Sequence, residues 1–125
     1  MLETKFNFED LEVWQKAAEF SKKVIDLSEK IDTNRKHFRL IEQLEGAASS
    51  IALNIAEGKG RYSKKEFVQF LNIAHGSPFE TVSLLILFNR NKWISDNQLD
   101  TMKTEAAEIS RMLSGLISSI KRSIP

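Results

Sequence analysis

The chain has no cysteine, which excludes disulfides, thiol nucleophiles and cysteine-ligated metal. It has only two prolines, and one of them is the last residue, so Pro78 is the one position where proline can disturb an internal element. No charge of one sign dominates. The formal net charge is +1, so nothing global demands nucleic acid or membrane, and any nucleic-acid role must come from local patches. No apolar run approaches the roughly 20 residues that a membrane-spanning helix needs. The opening MLETKFNFED mixes acidic and apolar residues and has no hydrophobic signal core. These absences point to a soluble, cytoplasmic protein with no membrane partner.

What is present is ordinary for a globular domain. The 125 residues are 42% hydrophobic and 28% charged, which fits a single domain (1–125) able to bury a real core. The chain is organised around Gln43 to Arg61. There Leu44, Ala47, Ala48, Ile51, Ala52, Ile55 and Ala56 recur at steps of three and four, one stripe of an α-helix. The alanines let a neighbouring helix approach closely. Gly58 reads as a left-handed C-terminal stop and Gly60 as a second turn position.

Three more helices flank this one. The first is predicted over about Asp10 to Ile31, capped by Asp10 or Asn7, with Val13, Ala17, Phe20, Val24, Leu27 and Ile31 on its stripe. After a turn at Asp32-Thr33-Asn34, the central helix should begin near Arg35 and reach Glu57. Ser63 and Glu66 form an S-x-x-E capping box that opens a third helix, Lys64 to Asn89, which Gly76-Ser77-Pro78 should kink or briefly break. Ser95 or Asp96 caps the fourth, which runs to about Arg122 with Leu99, Met102, Ala106, Ile109, Leu113, Leu116 and Ile120 in a 3.5-residue repeat. Long helices joined by short turns, with no strand signal, give an all-α, antiparallel up-down-up-down four-helix bundle.

NIAEGKGR at Asn54 to Arg61, FEDLEVWQKA at Phe8 to Ala17, and KKEFVQFLNIAHGS at Lys64 to Ser77 together resemble one known family. It is the family of four-helix bundles encoded in 23S rRNA intervening sequences, with the accessory proteins of diversity-generating retroelements. The resemblance implies a ring-like homo-oligomer, typically a pentamer, that binds rather than catalyses. The partners it implies are RNA or DNA, or a reverse transcriptase. It makes Trp14, Gln43, Asn54, Glu57, Gly58, Gly60, Arg61, Gly76, Ser77 and Glu80 motif residues that define fold and assembly. Two departures stand out. Pro78 interrupts a helix that relatives continue, and Glu45-Gly46 replaces a basic pair, weakening phosphate binding on that face.

Candidate chemistry is thin. His37 and His75 stand on different helices with no carboxylate or histidine at metal-ligand spacing. Gly58-Lys59-Gly60 lacks both the preceding strand and the GK[ST] ending of a phosphate loop. No serine has a base and an orienting acid that sequence can place beside it. The expectation is therefore a non-enzyme, with no cofactor, metal or small-molecule substrate. Glu57 faces the negative end of its helix dipole, and Arg61 or Lys64 can compensate it. Asn54 either bonds a loop backbone or fixes the register of a partner subunit.

Topology sorts the cations into two patches. Lys30, Arg35, Lys36, Arg39, Arg90 and Lys92 gather at one end against Asp32 and Asp96. Lys59, Arg61, Lys64, Lys65, Lys121 and Arg122 gather at the other, partly offset by Glu3, Glu9, Asp10 and Glu12. Each end is a candidate phosphate contact, or simply a place where helices meet water. Phe6, Phe8, Trp14, Phe79 and Trp93 exceed what one thin core hides, although Phe8 and Trp14 can fill the bundle ends. Three functions compete: an oligomeric adaptor for nucleic acid or a nucleic-acid-processing partner, a structural or protein-binding oligomer with no nucleic-acid affinity, and a metal-dependent enzyme.

Overall fold

In the computed structural model, residues 3–125 are described. A short 3-10 turn at Asn7–Asp10 leads into four helices: α1 (Glu12–Glu29), α2 (Phe38–Lys59), α3 (Lys64–Arg90) and α4 (Asp96–Arg122). Each helix packs on its two neighbours in the order α1, α2, α3, α4 and back to α1, with no close backbone approach across either diagonal. The architecture is the expected four-helix bundle. One core runs its length, built from the Phe20 and Val24 side of α1, the Leu44–Ile55 stripe of α2, Leu71, Leu85 and Phe88 of α3, and Ile109 and Leu113 of α4. Burying each large aliphatic or aromatic side chain contributes about 1.5–3 kcal/mol before entropy is counted.

The α2–α3 seam is the most extensive contact, and Gly58 shows why. Gly58 is buried inside α2 rather than ending it, and no glycine has a positive φ. A Cβ built on Gly58 would stand 2.7 Å from Cβ of Phe70 and 3.0 Å from Cδ1 of Phe67. The glycine thus serves close approach, not a left-handed stop. α2 ends instead at Gly60, a right-handed cap with φ −79° whose N–H donates to the carbonyls of Ala56 and Glu57.

Other boundaries shift for identifiable reasons. Neither Asp10 nor Asn7 caps α1, whose N-cap is Leu11 with no side-chain bond. Asp10 pairs with Lys5 at 2.9 Å, and Asn7 Nδ2 donates to the carbonyl of Lys59 at 3.3 Å. α2 begins at Phe38, three residues after Arg35, because left-handed backbone at Asn34, Arg35 and His37 keeps that stretch out of the helix. α3 stays one helix across the expected bend at Pro78, whose ring is buried. Thr81 Oγ1 donates to the Ser77 carbonyl there at 2.8 Å. Ser63 accepts from the Glu66 amide at 3.1 Å, but Glu66 takes the Ser63 hydroxyl rather than its amide, leaving that capping box half made. Ser95 and Gln98 form a full one at the start of α4, with both bonds present.

The α1–α4 seam is thinner and ionic. Lys16 Nζ meets Glu108 at 2.8 Å, and Lys23 bridges Glu105 and, at 3.8 Å, Glu19.

Candidate nucleic-acid interface

The α1–α2 loop and the α3–α4 turn meet at one end. The rings of His37 and Trp93 lie 5.0 Å apart, and Trp93 is fixed from below by Phe88, edge-on at 5.1 Å. The loop is held by side chains rather than by glycine. Asp32 Oδ1 accepts from the Asn34 amide at 2.8 Å, the Thr33 hydroxyl donates to the Lys36 carbonyl, and the Lys36 amide returns to Thr33 at 3.2 Å. These bonds keep Asn34, Arg35 and His37 at φ 56°, 60° and 65°, and Lys92 in the facing turn adopts 62°. Left-handed backbone costs an ordinary residue roughly 1–2 kcal/mol. All the positive-φ residues of the chain's described part lie at this end, and such strain persists only where surrounding structure enforces it.

Lys30, Arg35, Lys36, Arg39, Arg90 and Lys92 are all exposed here, and none makes an ion pair among the described residues. The two acids expected to offset them have other partners. Asp32 receives the Asn34 amide, and Asp96 Oδ1 receives Asn89 Nδ2 at 2.9 Å. Neither ties down a cation.

The opposite end differs. Arg61 pairs with Glu57 at 2.9 Å, the compensation expected for that carboxylate, and its guanidinium lies 4.7 Å over the Phe70 ring. Lys59 Nζ lies 5.7 Å over Phe67, and Lys64 Nζ donates to Ser123 at 3.0 Å. Lys65, Lys121 and Arg122 remain exposed without ion pairs among the described residues.

The motif residues have mixed roles. Trp14 is half-buried, edge-on to Phe8 at 4.9 Å. Asn54 bonds neither a loop nor, within this chain, anything distant: its Nδ2 reaches the Ser50 carbonyl at 2.8 Å and the Ser50 hydroxyl at 3.0 Å. Ser50 in turn meets Ser77 at 3.0 Å, so two motif stretches are joined across the α2–α3 seam. Gln43 and Glu80 are exposed, with no side-chain hydrogen bond or ion pair among the described residues, and open space surrounds Gly76.

His75 Nε2 lies 3.2 Å from the Ser110 hydroxyl and 3.0 Å from that of Ser114, tying α3 to α4. Both serines sit mid-helix, where backbone amides are already bonded, so no oxyanion donors converge on them. Among the described residues no group of three or more histidines or carboxylates is placed to hold a metal, and no helix is long and apolar enough to cross a membrane. Beside His75, Phe79 stays 64% exposed. It walls an open groove of about 390 Å³ between α3 and α4, lined also by Pro78, Val82, Ala106, Ala107 and Arg111.

The family profile described as 23S rRNA-intervening sequence protein matches residues 9–115. The chain belongs to this family. The match takes in the whole His37–Trp93 end and stops short of Lys121 and Arg122. A solved relative agrees. The crystal structure of a protein of unknown function from the S23 ribosomal protein family of Bacteroides thetaiotaomicron is 28% identical. It superposes with a TM-score of 0.78, covering 84% of this chain and 97% of that one. No curated protein matches the sequence. Family membership accounts for the bundle and its motif stretches. It names no catalytic residue.

Sequence reasoning placed the cations at this end but missed the stack beneath them. The expected start of the central helix near Arg35 would place His37 and Phe38 in its first turn, whereas the left-handed backbone makes His37 the N-cap and Phe38 the first residue of α2.

Proposed function

We propose that the protein is a non-catalytic, homo-oligomeric adaptor that binds the phosphate backbone of RNA or DNA, or a nucleic-acid-processing partner such as a reverse transcriptase. The observation that carries this reading is the cluster of exposed, unpaired cations on a braced loop at the His37–Trp93 end. Cations without carboxylate partners are free to release counterions from a polyphosphate, which is the main source of sequence-independent affinity. The cations of the opposite end are in part engaged already, Arg61 by Glu57 and Phe70, Lys59 by Phe67 and Lys64 by Ser123, which favours the His37–Trp93 end as the binding face. Titrating labelled RNA and DNA at two salt concentrations tests the reading. Affinity should fall steeply as salt rises, and binding indifferent to salt would contradict it.

Self-association rests on exposed apolar side chains. Leu53, Ile73, Phe79 and Leu87 on α2 and α3 are 65%, 55%, 64% and 48% exposed, large apolar side chains that a partner copy would take out of water. Of the five aromatics expected to overfill the core, Phe8, Trp14 and Trp93 pack into the ends, whereas Phe6 and Phe79 stay out. A ring, with the pentamer as the size proposed, would cover this surface. Light scattering in dilute solution decides, and a mass equal to one chain would remove the assembly.

The same exposed residues favour the second reading, a structural or protein-binding oligomer with no nucleic-acid affinity. Partner capture that survives high salt, with no RNA retained, would select it.

A further inference from the structure

The cations of the His37–Trp93 end do not stand alone; exposed aromatic rings stand among them. Phe38, the first residue of α2, is 59% exposed between Arg35 and Arg39. His37 is exposed and backed by Trp93, which is itself held by Phe88, so its outer face is a fixed platform. One flank of Phe38 opens on a cavity of about 380 Å³, whose walls include Ile31, Ile41, Asp32, Thr33 and Glu45. Glu45 accepts from the Ser28 hydroxyl through one oxygen and Asp32 from the Asn34 amide through one oxygen, leaving the second oxygen of each for another donor.

This arrangement suits one kind of occupant. A phosphate is disfavoured deep in the cavity beside Glu29, Asp32 and Glu45, yet phosphates are drawn to Arg35 on its wall and to the exposed Arg39 and Lys92 at the same end of the bundle. A polymer that satisfies both demands keeps its backbone outside and turns flat, uncharged rings inward. Phe38 and the His37 face supply π surfaces for those rings, a means by which proteins hold unpaired strands. Duplex nucleic acid keeps its rings stacked inside the helix and would leave both platforms in water. We infer that the His37–Trp93 end binds single-stranded nucleic acid, stacking unpaired bases on Phe38 and His37 while its cations follow the backbone. The carboxylates add a preference. Adenine and cytosine offer an exocyclic amine to Asp32 and Glu45, whereas uracil offers only a ring N–H flanked by two carbonyl oxygens that a carboxylate repels.

The inference rests on the phosphate-binding reading above, and its test separates the two. Fluorescence anisotropy on the full-length protein would compare oligoadenylate, oligouridylate and a hairpin duplex of equal phosphate count. Oligoadenylate should bind tighter than oligouridylate, and both tighter than the duplex. Phe38→Ala should weaken oligoadenylate by roughly five- to a hundredfold, the range for losing one stacked base, and leave the duplex unchanged. Phe38→Trp should restore oligoadenylate binding, a readout that a purely structural role for Phe38 would not produce. Equal affinity for strand and duplex, with Phe38→Ala binding oligoadenylate as the parent does, would overturn the single-strand inference and leave the phosphate reading standing. Failure of every probe to bind at low salt would overturn both.

Discussion

At the end where the α1–α2 loop meets the α3–α4 turn, Arg35, Lys36, Arg39, Arg90 and Lys92 are exposed without an acidic partner among the described residues. At the other end, Arg61 is tied to Glu57 and laid over Phe70, Lys59 lies over Phe67, and Lys64 bonds Ser123. The ends look alike in composition, yet their cations are differently engaged. A cation already stacked and paired must give up those contacts before meeting a phosphate, so its net contribution to binding is small. Backbone conformation follows the same division, since among the described residues every positive-φ residue lies at the free end and the engaged end closes through ordinary right-handed caps.

The largest expected effect breaks that contrast directly. Replacing Arg35, Lys36, Arg39 and Lys92 together by alanine should reduce RNA affinity on the order of 10²- to 10³-fold at low salt. The matching set Lys59, Arg61, Lys64 and Lys65 should cost less than tenfold, as measured by filter binding. Equal losses would erase the distinction between the ends.

A stability change of medium size sharpens it at the engaged end. Gly58→Ala drives a methyl into Phe70 and Phe67, the rings under Arg61 and Lys59, and should destabilise by about 1–3 kcal/mol in urea unfolding. Gly46→Ala, also within α2 but facing open space, should stabilise by up to about 1 kcal/mol. The opposite signs isolate close helix approach from helix propensity.

At the free end, Lys92→Gly relieves a left-handed backbone and removes a cation together. Stability should rise by about 0.5–1 kcal/mol while the salt dependence of binding weakens by roughly one unit of slope. A fall in both would mean that Lys92 is held for structural reasons.

The smallest effect leaves both ends alone. A hydrogen bond from Lys16 holds the Glu108 carboxyl below its ordinary value of 4.5. A carboxylate with a lowered folded pKa adds stability above its unfolded value and loses it as the pH falls through the folded one. Lys16 and Lys23, raised above 10.5 by hydrogen bonds to Glu108 and Glu105, contribute fully below that pH and lose the contribution as the pH climbs past it. Thermal unfolding should therefore show a modest loss below about pH 4, reduced in Glu108→Gln.

Much of the fold was legible because periodicity and caps agree. The repeat from Met102 to Leu113 and a cap at Ser95 or Asp96 located α4, and the alanine stripe of α2 implied close approach by a neighbouring helix, which the structure shows to be α3. Two local readings failed for a shared reason. Gly58 and Arg35 were judged by what their residue types prefer, but tertiary contacts decided both. Phe67 and Phe70 need the space at Gly58, and bonds from Asp32 and Thr33 hold Arg35 left-handed without a glycine to announce it. The site was half legible. Antiparallel topology placed the cations on the correct ends. Their engagement by Glu57, Phe67 and Phe70 depends on side-chain directions across helices, which spacing does not encode.

The central claim is that unpaired cations at one tip of the bundle bind phosphate. It is tested most directly by the slope of log affinity against log salt for a single-stranded RNA. Engagement of that tip predicts a slope on the order of −4, falling to about −1 when Arg35, Lys36, Arg39 and Lys92 are replaced. A flat line for the unmodified protein, or a steep one that survives those replacements, would contradict it.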